Sequence, residues 1–180
     1  MRKDLPRILF FTDPERTPDI GAVAARLPVG SAVVFRGFGA EDAVAQALAL
    51  RALTRRLGLK LLIGADADLA RRVEADGVHL PERLAHRAGP LKRSRPGWIV
   101  TAAAHSVRAA RRAVGVDAVV LSVAFPSASR SAGPAMGPVR LATALRAAGR
   151  PAYALGGISE LTAARVSHLR LTGLAAVSGV

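Results

Sequence analysis

The chain has 180 residues, a formal net charge of +13 and no cysteine, so disulfides and thiolate chemistry are excluded. The length suits a single domain over residues 1–180 with a full hydrophobic core. No apolar run approaches the ~18 residues that span a bilayer, and Ile8–Phe11 is too short for a signal peptide. The sequence therefore predicts a cytoplasmic protein with no membrane partner.

The positive charge by itself favours polyanion partners. The arginines, however, come as separated pairs near the ends of predicted helices, where a cation complements the helix dipole. Lys92–Arg95 is the one dense cluster, and aromatic residues for base stacking are few. We therefore predict an arginine-rich solvated surface and no nucleic-acid partner.

Eight short, continuously apolar runs are predicted as buried parallel strands. They are Ile8–Thr12, Ala32–Phe35, Lys60–Ile63, Val78–Leu80, Trp98–Thr101, Ala118–Val123, Ala152–Leu155 and Leu174–Val177. Helical segments are predicted between them over Ile20–Leu27, Glu41–Leu57, Asp66–Glu74, Pro81–His86, Ser106–Val114, Val139–Ala148 and Glu160–Leu169. The remaining long segments, Gly89–Pro96 and Phe125–Pro138, are predicted loops.

Strict alternation of strands and helices indicates an α/β fold, and eight strands favour a compact (β/α)₈ TIM barrel. A doubly wound open sheet is the alternative, because alternation does not distinguish a closed sheet from an open one. No GxGxxG motif follows the first strand, which argues against a nucleotide cofactor. The sequence stops directly after the last strand, so we expect a barrel lacking its final helix, with a homodimer as one way to cover that strand.

Small residues follow the last two strands, at Gly156-Gly157 and Ser178-Gly179. Such residues let backbone N–H groups approach a ligand, and neighbouring strand ends of a barrel meet at one face. The pattern predicts a phosphate cradle there. The alternative for Gly156-Gly157 is a tight turn from strand to helix.

In order and spacing, seven short segments along nearly the whole chain resemble the thiamine phosphate synthase/thiazole tautomerase family of (β/α)₈ barrels. The segments are Ile8–Asp13, Val33–Arg36, Ala75–Leu80, Ala103–Ser106, Phe125–Arg130, Ala154–Ile158 and Ala175–Val180. The resemblance implies that the protein binds a small phosphorylated heterocycle.

The synthases of this family join a pyrimidine diphosphate to a thiazole phosphate, with Mg²⁺ on aspartates after strands three and four. Here Gly64 and Ala65 stand in the first of these places, and Pro81 and Glu82 follow the fourth strand. Unless Asp66 or Glu82 substitutes, the metal ligands are missing. We therefore predict no metal site and no cofactor, with Mg²⁺ only if the protein is a synthase.

The tautomerase branch of the family also lacks the metal site and keeps a His-Ser pair after strand five, here His105-Ser106. The resemblance implies that His105 moves a proton on a thiazole phosphate carboxylate, since a base that titrates near neutral pH suffices for this chemistry. The alternative is a histidine that only occupies the entry to a helix. His79, on a short strand, is predicted to be structural.

The resemblance further implies a phosphate site at Gly156, Gly157, Ser178 and Gly179, with Arg130 where the synthases have a lysine. Arg36, after strand two, is predicted to bind the substrate's acid groups, the alternative being a salt bridge with Asp13. The favoured function is that of a thiazole tautomerase. A divergent Mg²⁺-dependent thiamine phosphate synthase and a non-catalytic binder of a phosphorylated ligand are the alternatives.

Overall fold

A computed structural model describes residues 4–37, 39–127 and 133–177, and in it eight parallel strands form a closed barrel in chain order. The strands are β1 (Ile8–Phe11), β2 (Ala32–Phe35), β3 (Lys60–Gly64), β4 (Gly77–Leu80), β5 (Ile99–Ala104), β6 (Ala118–Ser122), β7 (Ala152–Leu155) and β8 (Gly173–Ala176). Ile8 of β1 pairs with Leu174 of β8, which closes the sheet. The predicted barrel is confirmed, and the open sheet is excluded.

Seven α-helices and one 3₁₀-helix alternate with the strands in the described part of the chain. They are α1 (Ile20–Arg26), α2 (Ala43–Arg56), α3 (Ala67–Arg72), the 3₁₀-helix Glu82–Arg87, α4 (Ala88–Ser94), α5 (Val107–Arg112), α6 (Gly137–Ala148) and α7 (Glu160–Ala164). Side-chain oxygens of Asp19, Asp66, Ser106 and Ser159 accept N–H groups from the first turns of α1, α3, α5 and α7. These four helices thus begin at polar caps.

The prediction of a loop over Gly89–Pro96 is wrong, because most of this segment is helix α4. Its Gly-Pro start and basic residues are typical of loops, but proline is tolerated in the first turn of a helix, where its missing N–H costs nothing. Ala88 and Leu91 are buried against the barrel, and this burial stabilises the helix. Strand β5 also runs further than predicted, to Ala104.

Side chains of the strands alternate between two apolar layers. The inner layer fills the barrel with Leu9, Phe11, Ala32, Val34, Leu62, Ile99, Ala118, Val120, Tyr153 and Ala175. The outer layer, which includes Phe10, Val33 and Leu61, packs against the helices. Large rings stand beside alanines in the inner layer, so the barrel is solid and ligands have access only to its ends.

The Tyr153 side chain lies in the barrel interior, where its hydroxyl donates to the Pro6 carbonyl at 2.7 Å. Tyr153→Phe is expected to lower the free energy of unfolding by about 1 kcal/mol, because the buried carbonyl loses its donor. Ser167→Ala, which removes an exposed hydroxyl bond to the Ala164 carbonyl, is the control and is expected to have little effect. Urea unfolding of both variants tests this, and equal costs would contradict it.

Membrane-spanning helices were sought among residues 4–37, 39–127 and 133–177. None of the helices found there is both long and apolar enough to cross a bilayer.

Candidate functional site

Three adjoining cavities lie at the carboxyl end of the barrel. The first cavity, of about 720 Å³, lies over β2 to β5 and is lined in part by Phe11, Arg36, His79, Arg83 and His105. The second cavity, of about 430 Å³, lies over β6 to β8. The third, the glycine cavity, is also about 430 Å³ and surrounds Gly156 and Gly157. The first and second cavities share Arg36, His105, Ser122 and Leu155, so they meet above the barrel axis.

The Arg36 side chain is half-buried where the first and second cavities meet. Its Nε donates to the Thr12 carbonyl at 2.7 Å, and its Nη2 lies 3.2 Å from Asp13 Oδ2. Burial lowers the pKa of the guanidinium, and the Asp13 charge acts in the opposite direction. The salt bridge that the sequence left as an alternative is therefore present. Because Arg36 also lines both cavities, the tether to the β1 loop positions its charge for a ligand.

His105 follows β5 directly and is held at three points. Its backbone N–H donates to Glu82 Oε2 at 2.7 Å, and its Nδ1 lies 3.0 Å from Ser122 Oγ and 3.1 Å from the Ser122 carbonyl. The side chain is exposed between the two cavities. With Nδ1 held by Ser122, Nε2 is the ring nitrogen left to exchange a proton with a ligand.

His79 is buried in β4 and forms part of the floor of the first cavity. Its Nδ1 lies 2.9 Å from Thr101 Oγ1, and its ring meets the Phe11 ring edge-on at 4.8 Å. Burial first, and then the charges of Arg36 and His105, lower the pKa of His79 to about 3. The imidazole is therefore neutral at physiological pH and offers a hydrogen bond rather than a charge. The contacts with Thr101 and Phe11 are those of a structural residue, but His79 also faces the first cavity.

Gly156 and Gly157 follow β7 with φ values of +96° and +63°. A Cβ on Gly157 would lie 2.4 Å from the Pro126 carbonyl oxygen, and one on Gly156 would lie 2.7 Å from the Val123 side chain. Both glycines are thus needed for close packing of the segment after β6, as the tight-turn alternative supposed. Their N–H groups and that of Ile158 make no hydrogen bond within the described residues. These donors border the glycine cavity, so the turn also suits an anion.

Arg130, Ser178 and Gly179, also predicted at this site, lie outside the described residues. Their roles stay predictions. The residues that the structure does bring together from the predicted set are Arg36, His105, Gly156 and Gly157, all of which line the adjoining cavities.

Arg16 is a further cation that the sequence analysis did not single out. It lines both the second cavity and the glycine cavity. Asp13 Oδ1 accepts the backbone N–H groups of Glu15 and Arg16 at 3.1 and 3.3 Å, which folds the loop after β1 over this end of the barrel. The Asp-Pro pair that begins this loop is the sequence feature that indicates a turn there.

The two carboxylates considered above as substitutes for the family's metal ligands each accept backbone N–H groups. Asp66 Oδ1 accepts the N–H groups of Asp68 and Leu69 at the start of α3, and Glu82 accepts the His105 N–H. Throughout residues 4–37, 39–127 and 133–177, no three His, Asp or Glu side chains lie together as a possible metal site. These residues therefore hold no preformed cluster of three metal ligands, and Asp66 is the carboxylate among them that lines the first cavity.

Comparison with known proteins relates the whole barrel to one family. A family model described as thiamine monophosphate synthase matches residues 8–180. A protein named putative thiamine-phosphate synthase 2, from Aquifex aeolicus, is 39% identical over 112 residues, which are 61% of this chain and 60% of the relative. The thiamine-phosphate synthase of Methanoculleus marisnigri is 35% identical over 148 residues, 78% of this chain and 68% of the relative.

A solved structure shows the same similarity in three dimensions. Thiamine phosphate pyrophosphorylase from Pyrococcus furiosus superimposes with a TM-score of 0.80 at 26% identity. The superposition covers 97% of this chain and 86% of that protein. The chain spans about 60% of the Aquifex protein and 68% of the Methanoculleus protein.

Proposed function

The chain belongs to the thiamine monophosphate synthase family, and on that premise we propose that it joins a pyrimidine methyl diphosphate to a thiazole phosphate. In this reaction the thiazole nitrogen attacks the methylene carbon of the pyrimidine. The carbon–oxygen bond to the diphosphate breaks, and diphosphate leaves with the bonding electron pair. The names of the relatives support this synthase reaction better than the tautomerase reaction that the sequence favoured.

The geometric observation that carries the proposal is the meeting of the first and second cavities at Arg36, His105 and Ser122. Joining two molecules requires that both bind at once with their reacting atoms in contact. An isomerisation of one substrate needs only one of these cavities. Two cavities that open into each other at the barrel axis therefore favour a two-substrate reaction.

The charges around the cavities support a proposal in which each substrate binds on one side. The glycine cavity, with the N–H groups of Gly156 and Gly157 and the Arg16 side chain, suits the phosphate group of the thiazole phosphate, and it adjoins the second cavity at Arg16 and Gly156. Arg130, Ser178 and Gly179 are proposed to complete this phosphate site, as the resemblance implies. The first cavity, bordered by Arg36 and Arg83, suits the pyrimidine diphosphate.

The loss of diphosphate needs its growing negative charge to be offset. In the family this is the task of Mg²⁺, but no cluster of three metal-ligating side chains is preformed among the described residues. We therefore derive no step through a metal. Among the described residues, Arg36 and Arg83 are the cations that border the first cavity, and we assign the stabilisation of the leaving group to them.

Proton transfer at His105 is the second candidate function, and it is favoured by the Ser122 contact. Ser122 Oγ at 3.0 Å from Nδ1 fixes the orientation of the imidazole, so that Nε2 can remove or return a proton on a thiazole phosphate carboxylate. This reaction needs no metal, which agrees with the donor set of the site.

Two assays on the same purified protein separate the candidates. Thiamine phosphate formation from the two substrates is followed by chromatography, with and without Mg²⁺. Aromatisation of the thiazole phosphate carboxylate is followed by NMR in the absence of the pyrimidine. Thiamine phosphate formation supports the proposal. Aromatisation alone, abolished in His105→Gln, supports the second candidate, and line broadening without turnover in either assay supports a non-catalytic binder. Absence of coupling at all Mg²⁺ concentrations contradicts the proposal.

Arg83→Met is expected to slow coupling at least ~10-fold, because a charge-assisted contact to the leaving diphosphate is lost. Arg87 is also exposed on the same 3₁₀-helix but does not line the cavity, so Arg87→Met is the matched control and is expected to stay within about twofold of the wild type. Steady-state rates at limiting pyrimidine diphosphate measure the difference. Equal rates for the two variants would remove Arg83 from the site.

A further inference from the structure

The fold brings many basic residues that are scattered along the sequence together at the amino end of the barrel. In a (β/α)₈ barrel each helix ends beside the start of the next strand, so all the helix ends lie at one face. Six helices carry cations in their last turns, namely Arg26, Arg55, Arg56, Arg71, Arg72, Lys92, Arg93, Arg111, Arg112 and Arg146. Arg7, Lys60, Arg95, Arg150 and Arg170 lie at the same face, at or just before the first residues of strands.

The acidic side chains are distributed in the opposite way. Most lie at the carboxyl end, in loops after strands or in first turns of helices, namely Asp13, Glu15, Asp19, Glu41, Asp42, Asp66, Asp68 and Glu82. At the amino end, Asp76 pairs with Arg51 at 2.6 Å and accepts the Leu61 N–H, and Asp117 pairs with Lys92 and accepts the Val100 N–H. Because Arg16, Arg36 and Arg83 lie beside these carboxylates at the carboxyl end, the excess of positive charge among the described residues lies at the amino end.

A groove of about 970 Å³ crosses part of this face, below β5 to β8 and β1. The basic groove, as we call it, is lined by Arg7, Lys92, Arg150 and Arg170, with Asp117 the acidic residue among its described lining. Arg7 and Arg170 are exposed. Lys92 is paired with Asp117, as Arg51 and Arg55 in the neighbouring part of the face are paired with Asp76 and Glu74, so Arg7, Arg150 and Arg170 are the other cations of the described groove lining.

We propose that the basic groove and the helix ends around it bind the sugar–phosphate backbone of duplex nucleic acid without reading its sequence. Duplex DNA carries about one negative charge per 1.7 Å, which matches cations spread over a whole face better than a single small anion does. Most of these cations are arginines, whose planar forks bind phosphate oxygens in pairs.

The burial of the aromatic side chains argues against single-stranded nucleic acid and against a membrane surface as the partner. Every aromatic ring in the described residues is buried, including Trp98 at 8% exposure and Tyr153 at 0%. The face therefore has no rings to stack on unpaired bases or to insert into a membrane interface.

The expectation of no nucleic-acid partner depended on the separation of the arginine pairs along the sequence. Separation along the chain does not imply separation in space, since helix ends far apart in sequence are neighbours in the barrel. This inference is independent of the proposed catalytic function, because the basic groove lies at the end of the barrel opposite the three cavities.

Fluorescence anisotropy with a labelled 20-base-pair DNA of arbitrary sequence, from about 50 to 300 mM NaCl, tests the proposal. The wild type is expected to bind with a steep salt dependence and equally to a second, unrelated sequence. The Arg7→Glu/Arg170→Glu variant is expected to bind at least ~10-fold more weakly than the matched Arg108→Glu/Arg140→Glu variant. The control makes the same change in net charge at exposed first-turn positions of α5 and α6, on the other side of the molecule.

Thermal unfolding establishes that both variants are folded. If the Arg7→Glu/Arg170→Glu variant is unstable, Arg7→Gln/Arg170→Gln replaces it. In a plot of the logarithm of the DNA association constant against the logarithm of the salt concentration, this variant is expected to have a slope about 2 smaller in magnitude than the wild type. Equal weakening of the two charge-reversed variants would show that net charge alone is responsible and would overturn the proposal. No DNA binding at 50 mM NaCl would overturn it, as would tighter binding to vesicles of phosphatidylserine and phosphatidylcholine than to DNA.

Discussion

The Gly157→Ala variant is expected to lose about 3 kcal/mol of unfolding free energy relative to the wild type. Two costs combine at this residue. Its φ of +63° is a left-handed conformation that costs an L-residue roughly 1–2 kcal/mol. The new Cβ would also meet the Pro126 carbonyl oxygen at 2.4 Å and that of Phe125 at 2.6 Å. Forcing atoms into a packed region adds about 1–3 kcal/mol.

Gly149→Ala provides the matched control for this prediction. Gly149 ends α6 with φ +60°, almost the same conformation, but a Cβ there would meet nothing within 4 Å. We expect it to cost about 1 kcal/mol, from the backbone alone. Urea unfolding curves of the two variants isolate the collision. Equal losses would show that the segment after β6 moves aside freely, and a rigid glycine cavity would then be untenable.

The second large expected effect is a loss of stability in acid that comes from His79. The folded state keeps this imidazole neutral down to a pKa of about 3, whereas an unfolded histidine titrates near 6.5. Above about pH 6.5 both states are neutral and His79 contributes no pH dependence. Between 6.5 and 3 the unfolded chain binds one more proton, so unfolding becomes easier by about 1.4 kcal/mol per pH unit as the pH falls.

His79→Asn removes the titrating group and isolates this effect from the other groups that titrate in acid. Between pH 7 and pH 4 the wild type is expected to lose about 3 kcal/mol more stability than the variant. Denaturant unfolding at four pH values measures how the free energy of unfolding of each protein changes with pH. Because each protein is compared with itself across the pH range, the loss of the Thr101 hydrogen bond in the variant does not affect the comparison. Parallel slopes would mean that His79 is accessible to protons in the folded barrel.

Much of the barrel was predictable because its strands are buried on both faces. Runs such as Val33–Phe35 and Leu61–Ile63 stay apolar at every position, which few other elements do. Helix α4 was missed because its stability comes from tertiary burial of Ala88 and Leu91, not from the local sequence Gly-Pro-Leu-Lys-Arg. The local composition indicates a loop there, but the burial of Ala88 and Leu91 stabilises a helix.

The position of two predicted residues at the cavities was apparent from the sequence, but their contacts were not. His105 and Arg36 follow strand ends and line the cavities as expected. The approach of Ser122 to His105 depends on the register of β5 and β6, in which Ala104 pairs with Leu121, and register is not apparent from apolar strands. Arg16 reaches the glycine cavity through a turn built on Asp13, a loop geometry with no periodic pattern to reveal it.

Charge separation along the barrel axis also makes the molecule a strong electric dipole. On an anionic support, such as a phosphocellulose resin or bare silica, the protein will adsorb with its amino end against the surface, where Arg7 and Arg170 lie. The mouths of the three cavities will then face the bulk solution. Adsorption without any tag or chemical linker would thus give a layer in which every molecule presents the same end to its ligands.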